Sequence, residues 1–145
     1  MKVSMIISGH GEFSQGLHSL VKGVFGDVDN LFTLPYAYDM SSVVFLGQLE
    51  NLVTSQDEGS TVLMLTDMKG GTPFNKSVEL KLKGYDIEVL TGTNFNMVAA
   101  AIDAREDAAT IPELIEIVLE QGKESISAFV MKDAQISFED TEDGI

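Results

Sequence analysis

Three short stretches of the sequence carry side chains whose types and spacing could perform chemistry. His10 stands between two glycines, Asp67 follows a strongly apolar run, and Gly-Gly-Thr-Pro occupies positions 70–73. An imidazole nitrogen is a nucleophile when a carboxylate accepts the proton of the other ring nitrogen and so fixes the tautomer. A glycine turn that leads into a helix offers free N–H groups and a positive helix end to an anion. The combination predicts a histidine that accepts and donates a phosphoryl group, with His10 and Asp67 as its catalytic residues.

The residues around these two complete the predicted site. Glycines on both sides of His10 remove side-chain bulk and let a phosphoryl group approach closely. The hydroxyl of Thr72 would either donate to a phosphoryl oxygen or cap the following helix. The other histidine, His18, lies beside the apolar stripe of the first helix and is interpreted as a residue at the edge of that face. The predicted phosphoryl-binding residues are Gly11, Gly70, Gly71 and Thr72.

Several other chemistries lack the residues that they need. The chain has no cysteine, which excludes a disulfide framework, thiol catalysis and cysteine-ligated zinc. Two histidines without cysteine make a transition-metal centre unattractive, so we expect no metal and no cofactor. The patterns of a P-loop, of a dinucleotide fingerprint (G-x-G-x-x-G) and of a G-x-S-x-G elbow are all missing.

Composition narrows the class of protein and its partners. The 145 residues are 44% hydrophobic, which is typical of one globular domain. Twenty-three acidic residues face nine basic ones, a net charge of −14 that repels nucleic acid and anionic lipid and favours basic partners. No apolar run approaches the roughly 20 residues that span a bilayer, and the first residues are too short for a secretory signal. We therefore expect a cytoplasmic protein without direct membrane insertion.

The apolar spacing predicts alternating strands and helices. Predicted strands cover residues 2–8, 30–34, 61–66 and 86–90, each followed by a helix, and residues 125–131 could form a last strand. This order indicates an α/β fold: a doubly wound, mainly parallel sheet with helices on both faces and a possible antiparallel C-terminal strand. We expect one domain over residues 1–131 and an acidic tail over residues 132–145.

Local signals set the expected element boundaries. Pro35 is expected to close the second strand, Ser14 to cap the first helix, and Thr72 to cap the third. Ligands of doubly wound sheets bind beyond the carboxyl ends of the strands. Chemistry is therefore expected in the loops after the first, third and fourth strands, the last of which is Thr91-Gly92-Thr93-Asn94.

Taken together, three motifs resemble a known family. Ile-Ile-Ser-Gly-His-Gly at residues 6–11, Leu-Thr-Asp-Met-Lys-Gly-Gly-Thr-Pro-Phe-Asn at residues 65–75, and the loop at residues 91–94 occur in order and at characteristic spacing. They are similar to the enzyme IIA domain of the mannose family (mannose, fructose and sorbose type) of bacterial sugar phosphotransferase systems. The resemblance covers roughly residues 1–130.

The resemblance implies a place in a phosphoryl relay. His10 would be phosphorylated at Nε2 by the phosphohistidine of HPr and would pass the group to a separate enzyme IIB during sugar uptake through the membrane components IIC and IID. Asp67 would hold the Nδ1 side of the ring. A homodimer is implied too, with a C-terminal strand that reaches the other subunit. Lys69 departs from the apolar or aromatic residue of many relatives, and would alter the partner surface or add a cation near the phosphoryl group.

Two alternatives use the same residues differently. A receiver-like domain would be phosphorylated on Asp67, although its first loop offers His10 and Glu12 in place of the expected acidic pair. A non-catalytic module would bind a small anion between His10 and the Gly70-Gly71 turn without covalent change. An acyl phosphate is labile in base, whereas phosphohistidine is labile in acid, so bond chemistry separates the first alternative from the carrier.

Overall fold

A computed structural model describes residues 1–131, and the predicted acidic tail at residues 132–145 lies outside this range. Four strands alternate with helices along the chain, and a fifth helix ends the described part. The strands are β1 (Lys2–His10), β2 (Leu31–Tyr36), β3 (Ser60–Thr66) and β4 (Ile87–Leu90). The helices are α1 (Phe13–Phe25), α2 (Ser42–Thr54), α3 (Thr72–Leu82), α4 (Phe95–Ala104) and α5 (Ile111–Glu124).

The sheet is parallel throughout, in the order β2-β1-β3-β4. Successive residues of β1 face opposite sides of it. Met5 and Ile7 pack into a core covered by α1, α4 and α5, whereas Ile6 packs under α2 and α3. The fold class predicted from the sequence, with helices on both faces, is confirmed. None of the helices within residues 1–131 is both long and apolar enough to cross a bilayer.

The winding direction reverses between β1 and β3, the two central strands. Their register pairs Ser8 with Thr66, so His10, the last residue of β1, and Asp67, the residue after β3, emerge side by side at the carboxyl edge of the sheet. Crevices at such a switch point are where doubly wound folds bind ligands. This topology is what brings His10 and Asp67 together.

The expected C-terminal strand does not form in the described chain. Residues 126–130 have no regular structure, and the side chains of Ile126 and Phe129 are 77% and 73% exposed. Ser125 instead ends α5 in a helical conformation, and its hydroxyl donates to the carbonyl of Gly122 at 2.7 Å. The apolar run predicted a strand, but within residues 1–131 no neighbouring strand pairs with it.

The first strand runs two residues past its predicted end and includes His10, and three expected boundary residues also act differently in the structure. The second strand continues through Pro35 to Tyr36, because it is an edge strand and an edge tolerates the missing N–H of proline. Glu12 rather than Ser14 precedes α1, and Ser14 is fully buried in its first turn. Gly71 takes the N-cap position of α3, so Thr72 is the first helical residue.

Candidate functional site

One carboxylate oxygen holds His10 at two points. The Asp67 Oδ2 atom lies 2.7 Å from the ring Nδ1 and accepts the backbone N–H of His10 at 2.9 Å. The other oxygen, Oδ1, accepts the N–H of Met68 at 2.8 Å. A carboxylate only accepts hydrogen bonds, so the bonded Nδ1 carries the proton and the lone pair is on Nε2. The ring is therefore presented as a nucleophile through Nε2.

Asp67 remains ionised in this setting. Burial by itself raises the pKa of the carboxyl, but the hydrogen bonds from the backbone and ring of His10 and from the N–H of Met68 outweigh it. The net result is a pKa below the ordinary aspartate value. With both oxygens occupied, the carboxylate is poorly placed to become a phosphoryl acceptor, which argues against the receiver-like alternative.

Two further contacts fix the plane of the imidazole. The ring of Tyr36, which pairs with His10 across β1 and β2, meets it edge-on with centroids 5.4 Å apart. On another side, Gly71 approaches so closely that a Cβ atom built there would lie 2.7 Å from the ring Cε1. That distance is shorter than any real carbon contact, so only glycine fits beside the ring at position 71.

The β3–α3 turn faces the ring with backbone groups. Met68 to Gly71 closes through a hydrogen bond from the N–H of Gly71 to the carbonyl of Met68 at 3.3 Å. Gly70 has φ +82°, which favours glycine. Thr72 then starts α3, whose first N–H groups have no partner inside the helix. Gly71 therefore lies beside the His10 ring, and its neighbours Gly70 and Thr72 belong to the same turn and helix start, whose positive end attracts an anion.

Gly11 matters for its missing side chain rather than as a free hydrogen-bond donor. Its N–H already donates to the carbonyl of Tyr36 at 2.9 Å, and its φ is +56°. A Cβ at this position would lie 2.9 Å from the ring of Tyr38, an 86% exposed side chain that covers the loop. The loop after β4 is structural, because both the N–H and the hydroxyl of Thr93 donate to the carbonyl of Thr66, at 3.1 and 2.8 Å.

Sequence reasoning missed three residues of this site. Tyr36 and Tyr38 come from β2 and its following loop, which the sequence analysis did not connect with His10. Asn75 donates from Nδ2 to the carbonyl of Gly70 at 2.9 Å and so supports the turn. The spacing of about one helical turn between Asn75 and the glycine pair was the one sequence signal for this bond. The contribution of the tyrosines follows only from the register of β1 and β2.

The site is open to solvent. The His10 side chain is 28% exposed, and Met68, Lys69 and Gly70 beside it are exposed as well. Within residues 1–131, no three histidine or carboxylate side chains cluster closely enough to hold a metal ion. An open edge of this kind suits a macromolecular partner that brings the reacting group to the ring.

Comparison with known proteins places this geometry in a family. The model of the family described as "PTS system fructose IIA component" matches residues 4–119, a span that includes both His10 and the whole β3–α3 turn. The chain belongs to this family. It is therefore related to the IIA components of the sugar phosphotransferase system, and the resemblance inferred from the sequence motifs is confirmed.

Individual relatives agree with the family assignment. The mannose-specific EIIAB component of Escherichia coli (strain K12) is 24% identical over 132 residues, and the fructose-specific EIIA component of Bacillus subtilis is 27% identical over 107. The latter alignment covers 74% of this chain and 73% of the relative. The former covers 91% of this chain but 41% of the relative, so the chain spans about two fifths of the length of that IIAB protein.

Solved structures of IIA proteins share the fold. The phosphotransferase system component EIIA from Streptococcus agalactiae superposes with a TM-score of 0.81 at 30% identity and covers 88% of this chain and 97% of its own. A putative phosphotransferase system permease from Klebsiella pneumoniae gives a TM-score of 0.79 at 26% identity, with 92% and 96% covered. The fold of this chain is thus shared with solved structures of phosphotransferase system proteins.

Proposed function

We propose that this IIA chain is a phosphohistidine carrier, which accepts a phosphoryl group from phospho-HPr on Nε2 of His10 and donates it to an enzyme IIB. The observation that supports this most directly is the 2.7 Å contact between Nδ1 and Asp67, which leaves the lone pair on Nε2. Residues 1–131 would form the carrier domain, working in the cytoplasm as a homodimer. The carrier needs no metal or cofactor of its own.

The transfer follows from the geometry of the ring. The Nε2 lone pair attacks phosphorus, the bond from phosphorus to the donor nitrogen breaks, and its electron pair returns to the donor imidazole. The proton on Nδ1 stays between the ring and Asp67, so the positive charge that develops on His10 is balanced by a carboxylate already in place. Transfer to IIB reverses these steps with a new acceptor.

The phosphoryl oxygens would meet the start of α3. The N–H groups of Gly70 and Thr72 and the hydroxyl of Thr72 would supply the donors, whereas the N–H of Gly71 is engaged in the turn. Backbone donors that are fixed before the reaction stabilise the charge on the equatorial oxygens without reorganisation. Gly71 contributes by its closeness to the His10 ring, and Gly11 by leaving the space that Tyr38 fills beside the loop.

The exposed rim supports a protein donor rather than a small molecule. Tyr38, Val43 and Met68 are apolar or aromatic, exposed, and located at the carboxyl edge of the sheet. Together with the net charge of −14, they suit a partner with an apolar contact face and a basic surround.

The test is intact-mass spectrometry after incubation with phosphoenolpyruvate, enzyme I and HPr. One added phosphoryl group that is lost in acid and kept in base is the expected result. A group lost in base would assign the modification to a carboxylate and revive the receiver-like alternative. No added mass, with enzyme I and HPr shown to be active, would contradict the carrier and favour an anion-binding module.

Gly71→Ala should slow phosphorylation at least about 10-fold, because a displaced near-attack geometry is costly for transfer. The backbone of Gly71 has φ −72°, which alanine adopts freely, so the penalty comes from the clash with the His10 ring and from a tighter contact with Met68, 3.2 Å from the added methyl. Gly23→Ala is the matched control, since its added methyl meets no atom within 4 Å. The two variants are compared by their phosphorylation rates in quenched time courses. Equal rates would show that phosphorylation does not depend on the present position of the His10 ring.

A further inference from the structure

A rigid turn presents Lys69 next to the reactive ring. The hydrogen bond from Gly71 to Met68 and the positive φ of Gly70 define a type II β-turn with Lys69 at its second position. Asn75 fixes the turn against α3 through its bond to the carbonyl of Gly70 at 2.9 Å. The backbone of Lys69 is therefore held in one place while its side chain projects into solvent.

The residues two positions before and two positions after Lys69, Asp67 and Gly71, both lie against the imidazole ring of His10. Asp67 bonds Nδ1 at 2.7 Å, and a Cβ at Gly71 would lie 2.7 Å from Cε1. Two residues span at most about 7 Å of extended chain, and a lysine adds a flexible four-carbon stem. Because Cε1 is bonded to Nε2, the backbone at Gly71 lies close to the atom that would carry the phosphoryl group, and the stem of Lys69, two residues away, is long enough to bring its ammonium to that group.

The charges at this edge are otherwise negative. The loops at the carboxyl ends of the strands, residues 11–12, 37–41, 67–71 and 91–94, carry the carboxylates of Glu12, Asp39 and Asp67. Lys69 is the one cation in these four loops. It makes no hydrogen bond or ion pair with a described side chain, whereas four other lysines each pair with a carboxylate: Lys22, Lys76, Lys81 and Lys83.

We propose that the Lys69 ammonium binds the phosphoryl group on Nε2 of His10 and stabilises it during transfer. This inference rests on the proposed function. A phosphoryl group brings two negative charges to a ring that already touches the carboxylate of Asp67, and the N–H groups of α3 offer only partial charges. An ammonium at the open side supplies a full positive charge where the oxygens emerge. Lys69 thus acts as a phosphoryl-contacting residue rather than only as part of the docking surface.

The experiment compares two phosphoryl donors, potassium phosphoramidate and phospho-HPr, on wild type, Lys69→Met and Lys69→Arg. With phosphoramidate at low salt, Lys69→Met should accept the group about 5- to 10-fold more slowly, in keeping with one exposed charge pair. Lys69→Arg should keep most of the rate. Added salt should narrow the gap, because it screens an exposed pair. Lys2→Met removes the same charge at the opposite end of β1 and should match wild type.

Two results would overturn the inference. If Lys69→Met matches wild type with both donors, the ammonium does not contact the group. If Lys69→Met is slow with phospho-HPr alone, Lys69 belongs to the docking surface. Both outcomes presuppose a wild-type chain that is phosphorylated, so they leave the carrier function standing. A wild-type chain that takes up no group on His10 from either donor would remove both proposals together.

Discussion

Replacing His10 with alanine should leave a folded chain that accepts no phosphoryl group from phospho-HPr. The expected loss is complete, because the variant removes the only nitrogen that Asp67 orients toward the carboxyl edge. The fold should survive, since the His10 side chain is already 28% exposed and lies outside both hydrophobic cores. Intact mass measures the phosphoryl group, and circular dichroism with thermal unfolding measures the fold.

His18→Ala is the matched control for this variant. The two histidines are the only ones in the chain, and His18 lies in α1 away from the β3–α3 turn. The control should therefore be phosphorylated at the wild-type rate. A phosphorylated His10→Ala chain would contradict the assignment of His10, and loss of phosphorylation in His18→Ala alone would transfer the role to His18.

The meeting of His10 and Asp67 could be predicted because parallel strands end at one edge. The apolar run Thr61–Thr66 predicted a central strand, and the glycine after Ser8 marked the end of another, so Asp67 was placed one residue and His10 two residues beyond a strand. Adjacent central strands then put the two side by side. The double contact of Oδ2 with Nδ1 and the backbone N–H depends on register and side-chain rotamer, which no sequence pattern encodes.

Features that depend on a neighbour were the ones that sequence analysis missed. Whether Pro35 ends a strand depends on whether that strand is at an edge, and β2 lies at one. Whether the apolar residues 125–131 form a strand depends on a partner strand, and the described chain provides none. The sequence indicated only that Gly71 is part of a turn. The structure shows that the His10 ring occupies the space where a side chain at this position would be.

Asp67→Asn should slow phosphorylation on the order of 10²- to 10⁴-fold, the range expected when a histidine loses its orienting carboxylate. The amide cannot reproduce the present bonds in either orientation. In the first orientation the amide oxygen points toward His10, and the amide NH₂ then faces the N–H of Met68. In the second orientation the NH₂ points toward His10, where it opposes the backbone N–H of His10. It also donates to Nδ1, which moves the ring proton to Nε2. The first orientation loses the countercharge, and the second removes the nucleophile.

Asp67→Asn should cost less in free energy of unfolding than it costs in activation free energy of phosphoryl transfer. One backbone N–H is left facing another donor, and such an unsatisfied group destabilises a fold by about 1–3 kcal/mol. Asp86→Asn makes the same chemical change at a carboxylate that accepts only from Thr61 in this part of the chain, and it should be phosphorylated normally. A transfer rate for Asp67→Asn within twofold of this control would show that Asp67 does not set the tautomer.

Acid should narrow the stability difference between wild type and Asp67→Asn. The pKa of Asp67 lies below its ordinary value in the folded chain, so its ionised form contributes stability above the unfolded pKa that is lost as pH falls through the folded one. Urea unfolding from about pH 7 down to about pH 2.5 should therefore show a gap that narrows toward the acid end. A gap of constant size would mean that the hydrogen bonds stabilise the fold without the charge, and the balance of charge during transfer would then have to come from the start of α3 and from Lys69.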